Sequence, residues 1–168
     1  MILGMSLAAF TLAHVAISLV AIGSGLVVAA GMWRSQQLPA WRALFLLTTI
    51  ATSVSGFLFH SKSFGPPHVV GVISLVILAL ALLALYRHRL EGAWRAVYVV
   101  CALMALYLNC FVLIVQAFQK VPALKALAPK GSEPAFAITQ LLVLALFVAL
   151  GFFANRRFHP ATATPALA

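Results

Sequence analysis

Apolar residues fill this chain in five long stretches, separated by short clusters of charge, proline and glycine. Their polar boundaries fall at about 8–33, 41–60, 68–86, 95–118 and 136–154. A helix rises about 1.5 Å per residue, so ~20 residues cross the roughly 30 Å of bilayer hydrocarbon. Each stretch therefore predicts a transmembrane helix. The breaks are Arg34 to Gln37 with Pro39, then Gly65-Pro66-Pro67, then Arg87 to Gly92. A longer connection from Gln119 to Pro134 holds Pro122, Pro129 and Gly131, and the stretch 123–128 inside it predicts a short interfacial helix or turn.

Composition agrees with that pattern. Of 168 residues, 64% are hydrophobic and 8% charged, with a mean hydropathy of +1.11. A soluble domain carries about 25% charged residues to coat its surface. This chain cannot cover itself with polar groups, which excludes a soluble enzyme and a disordered protein and makes the lipid bilayer its first partner. No Lys or Arg precedes Trp33, so the basic segment of a signal peptide is missing and the first stretch reads as a retained span. The predicted fold class is an all-α integral membrane protein, a five-transmembrane-helix bundle. Residues 1–158 form its single domain and 159–168 a short disordered tail.

The formal net charge of +9 invites a nucleic-acid reading until the charges are placed. Arg34, Arg42, Arg87, Arg89, Arg95, Arg156 and Arg157 fall on one side of the predicted bundle; Lys62, Lys120, Lys125 and Lys130 fall on the other. The positive-inside rule makes the arginine side cytoplasmic, and Trp33, Trp41 and Trp94 anchor that same interface. The N-terminus is then outside and the C-terminus cytoplasmic, in a multi-pass protein of a bacterial-type inner membrane. The charge reports topology and lipid contact, and no nucleic-acid partner is expected.

Depth and facing pick out the informative polar residues. Counted from the tryptophan anchors, His14, His60 and His68 reach one depth near the outer boundary. Helical spacing joins His14, Ser18, Ala21, Gly25 and Ala29 into one polar-to-small stripe, the kind of face on which membrane helices pack. His60, Gly56, Ser53 and Thr49 form a second stripe, and His68, Gly71 and Ser74 a third. A fourth aligns Asn109, Gln116 and Gln119 through Ala105 and Val112, while Gln140 sits about a turn into the last span. The outer half thus collects His14, His60, His68, Gln116, Gln119 and Gln140, with Asn109 deeper and Lys120 and Glu133 in the adjoining connection. Polar groups are expensive in hydrocarbon, so inward clustering is a site hypothesis by default. The plainer alternatives are headgroup contact for His60 and interhelical hydrogen bonding for Asn109.

Two chemistries fit these residues. Neutral imidazole is the commonest protein metal ligand, and facing helices commonly supply it, so His14, His60 and His68 are candidate ligands of haem b or a transition metal. The same histidines and glutamines, beside Phe57, Phe59 and Phe64, suit a quinone or another lipid-soluble ligand. Asn109, Gln116, Gln119, Lys120, Glu133 and Gln140 are the remaining candidate ligand-binding residues. No metal-ligand spacing motif accompanies the histidines. The chain has no Asp, and its only carboxylate side chains are Glu91 and Glu133, which rules out a Ser–His–Asp triad and weakens a proton-driven transporter. A small transporter or channel using His and Gln stays as an alternative, as does an accessory subunit packed on a membrane-protein partner or on its own copy. Cys101 and Cys110 lie about 13 Å apart along one helix, too far to form a disulfide together.

Overall fold

The computed structural model describes residue 2 and residues 4–59 and 65–159. Helices α1 (Leu7–Trp33), α2 (Pro39–Gly56), α3 (Pro66–Leu82), α4 (Ala93–Lys120), α5 (Pro122–Leu127) and α6 (Pro134–Arg157) account for nearly all of them. A five-residue π-helical turn, Leu83–Arg87, prolongs α3. Each apolar stretch coincides with one long helix, and α5 occupies the connection between α4 and α6. His60 and the tail beyond His159 lie outside the described residues, as do Lys62 and Phe64.

Local chemistry sets the helix ends. Ser6 caps α1 by accepting the Ala9 amide, and Pro39, Pro66, Pro122 and Pro134 open four later helices, where a missing N–H costs nothing. Arg95 closes the end of α6 by donating to the carbonyls of Asn155 (2.7 Å) and Phe158 (2.6 Å). Among the described residues, α1, α4, α6 and the joined segment Pro66–Arg87 are long and apolar enough to cross a membrane. Helix α2 is shorter, at 18 residues, and carries Arg42, Thr48, Thr49, Thr52, Ser53 and Ser55.

Side-chain contacts sort the helices into an antiparallel bundle with two unlike ends. At the arginine end, Tyr98 meets Phe158, Trp33 meets Phe153, and the His159 amide donates to Ser35 Oγ. At the lysine end, Phe10 meets Phe59 and Phe118 meets Phe136. The hydrophobic core lies toward the arginine end: Met32, Phe45, Leu78, Tyr98, Val99, Ala105 and Leu106 are all buried there. Gly25 is what lets α1 close on it, because a Cβ there would stand 2.6 Å from Leu106 Cδ1 and 2.9 Å from the Phe45 ring. On α4 no residue between Leu106 and Phe118 is fully buried. The core cluster thus sits at the end of the bundle opposite to His14 and Gln140.

Candidate functional site

The α1 stripe packs as its spacing predicts. Ala21, Gly25 and Ala29 are buried, and His14 and Ser18 continue the same face half-buried toward the lysine end. There α1 meets the hydroxyl-rich face of α2. His14 Nδ1 lies 2.7 Å from Ser55 Oγ, and Ser18 Oγ lies 3.4 Å from Thr52 Oγ1. Ser55 also donates its hydroxyl to the Thr52 carbonyl at 3.1 Å. A serine has one proton to donate. In the neutral ring both bonds are satisfied only if Nδ1 carries the proton and donates to Ser55 Oγ, which leaves Nε2 unprotonated and, among the described residues, without a hydrogen-bond partner. Phe59 stands edge-on to the ring at 5.1 Å and to Phe10 at 5.0 Å, forming an aromatic wall.

His68 occupies a different setting. Its Nδ1 accepts the Gly65 amide at 3.1 Å, closing the start of α3, where Pro66 and Pro67 offer no N–H. With Nδ1 accepting, a neutral His68 holds its proton on Nε2. Its ring packs against Phe57, with centroids 5.8 Å apart. His14 and His68 thus sit at one end of the bundle in opposite tautomers. Among the described residues no group of three His, Cys, Asp or Glu side chains has the proximity to hold a metal ion.

The remaining candidates divide. Asn109 donates to Thr49 Oγ1 at 3.2 Å, and Thr49 is fully buried, so this amide ties α4 to α2. Gln140 is buried and donates to the Phe111 carbonyl at 3.3 Å, tying α6 to α4, while its Oε1 has no partner among the described residues. Gln116, Gln119 and Lys120 are exposed. Glu133 turns back on its own connection, accepting the amides of Lys130 (2.8 Å) and Ser132 (3.0 Å). Those contacts, the Lys130 amide above all, hold its carboxyl below the ordinary value.

Compared with known proteins, the chain matches no family model, no curated protein and no solved structure. The site has to be read from its own chemistry. Sequence spacing did not expose the role of Ser55, which lies just off the Gly56–Ser53–Thr49 stripe but reaches His14 across the helix pair. The signal was there in the density of hydroxyls on α2. Two concavities of the described residues lie elsewhere. One is a shallow apolar groove along α6, lined by residues such as Leu144, Val148 and Phe152, and the other a small cleft at the arginine end.

Proposed function

We propose that this chain is a five-span protein of a bacterial-type inner membrane that binds a lipid-soluble quinol-type ligand at His14. The observation carrying the reading is the Thr52–Ser55–His14 hydrogen-bond chain, which leaves Nε2 as a fixed acceptor. A quinol hydroxyl donates to such an acceptor, and Phe10 and Phe59 supply an apolar wall for its ring. Helix α2 counts as the fifth crossing in this reading because its polar side chains are used internally. Thr48 bonds to the Leu44 carbonyl, Ser55 to that of Thr52, and Thr49 to Asn109. The positive-inside rule then puts the N-terminus and His14 on the outer side.

A second reading shares His14. Metal-bound histidines commonly donate their other ring N–H to a fixed acceptor, as His14 does to Ser55, so Nε2 also suits haem b or a transition metal. Titration of the detergent-purified protein with decylubiquinol, beside an absorbance spectrum and metal analysis, separates the two. The quinol reading predicts saturable binding lost in His14→Ala and kept in His68→Ala. A Soret band or stoichiometric metal lost in His14→Ala transfers the site to the second reading. Equal quinol binding by wild type and His14→Ala, with no chromophore or metal, overturns both.

A further inference from the structure

The small cleft at the arginine end has features that the packing around it does not use. It is lined by Val28, Met32, Gln36, Gln37, Leu38, Arg42, Tyr98 and Phe158, which bring α1, α2, α4 and the end of α6 together. Tyr98 is 1% exposed, and its hydroxyl has no hydrogen-bond partner among the described residues. A buried tyrosine hydroxyl normally finds one, since leaving it unpaired costs about 1–3 kcal/mol. The open space, about 10 Å³, is that of a single oxygen-sized centre.

Arg42 and the start of α2 favour an anionic oxygen there. Helix α2 begins at it with no side-chain cap, Leu38 being the capping residue and Pro39 the first helical one. The positive end of the α2 dipole and the amides of its first turn are therefore available to an anion. Arg42 lines the cleft together with Tyr98 and donates to the neutral Gln37 Oε1 at 3.3 Å. The chain cannot neutralise this end itself, because seven arginines share it with one carboxylate side chain, Glu91. Trp33 and Trp41, both exposed, flank it at the level where lipid headgroups lie.

We infer that the Tyr98–Arg42 cleft binds a phosphate oxyanion, with one oxygen seated on the Tyr98 hydroxyl and the remaining charge facing Arg42 and the start of α2. The headgroup of an anionic phospholipid and free phosphate share this chemistry, and thermal unfolding in detergent distinguishes them. Dioleoylphosphatidylglycerol, dioleoylphosphatidylcholine and inorganic phosphate are added separately to wild type, Arg42→Gln, Tyr98→Phe and Arg89→Gln. A lipid source raises the wild-type midpoint with phosphatidylglycerol only. A free-phosphate source raises it with inorganic phosphate as well. In either case the rise is lost in Arg42→Gln and Tyr98→Phe and kept in Arg89→Gln, whose side chain lies outside the cleft. If Tyr98→Phe fails to fold, Arg42→Gln carries the comparison against Arg89→Gln. Equal responses to the two lipids without a phosphate response, or an Arg42→Gln response matching that of Arg89→Gln, overturn the inference. So does Tyr98→Phe responding as wild type, which would leave the space to a water molecule.

Discussion

His14 on α1 and Ser55 on α2 are joined at 2.7 Å between Nδ1 and Oγ, and the Ser55 hydroxyl donates to the Thr52 carbonyl at 3.1 Å. The pair fixes a tautomer as well as a contact. Nitrogen-15 shifts of the imidazole should show Nδ1 protonated and Nε2 bare in wild type. Ser55→Ala removes the acceptor, so both tautomers should become populated, with a stability loss of about 1 kcal/mol. Unchanged ring shifts in Ser55→Ala would contradict the assignment.

Asn109 tests whether the deepest polar residue is structural. Its bond to the buried Thr49 crosses from α4 to α2. Interhelical polar bonds in membranes average about 0.6 kcal/mol and reach about 1.7. Asn109→Ala should destabilise the bundle within that range and leave decylubiquinol affinity unchanged. A large affinity loss with unaltered stability would place Asn109 among the ligand contacts instead.

The close approach of α1 to the core depends on Gly25. A methyl group there meets Leu106 and Phe45 at 2.6 and 2.9 Å, whereas one at Gly23 meets nothing within 4 Å. Gly25→Ala should cost about 1–3 kcal/mol in detergent unfolding, as overpacking does. Gly23→Ala is the matched control and should be close to neutral. Similar effects at both positions would mean that the contact with Leu106 and Phe45 does not govern the packing of α1.

Glu133 gives a pH dependence with a definite sign. Its folded pKa is depressed, first by the Lys130 amide. The stabilisation is therefore complete above the unfolded carboxyl pKa and is lost as pH falls through the lower, folded one. Exchange protection at Lys130 and Ser132, measured relative to the intrinsic rate at each pH, should hold at neutral pH and fall only in acid. Glu133→Gln should weaken protection at neutral pH and remove the acid step. Protection that is flat through the acid range in wild type would break the link.

Much of the bundle was legible because small and polar residues at helical spacing have one use inside lipid, which is helix contact. The stripes through Ala21, Gly25 and Ala29, and through Thr49 and Ser53, are buried for that reason. The outer half of the α4 stripe did not follow. Asn109 faces α2, but Gln116 and Gln119 are exposed, because spacing along one helix does not reveal where its neighbours stop. His68 illustrates a second limit. Its place in the first turn of α3 was clear, yet its use as a cap for the Gly65 amide depends on a rotamer that sequence does not encode. The convergence of His14 and His68 with His60 cannot be followed, since His60 lies outside the described residues.

The proposed quinol site rests on a hydrogen bond accepted by His14 Nε2. Its most direct test is the nitrogen-15 spectrum of the histidine-labelled protein, recorded with and without saturating decylubiquinol. On addition the His14 Nε2 resonance should move away from the bare-lone-pair position while Nδ1 stays protonated, and the shift should be absent with His14 replaced. An Nε2 resonance that does not move at saturating quinol would contradict the account.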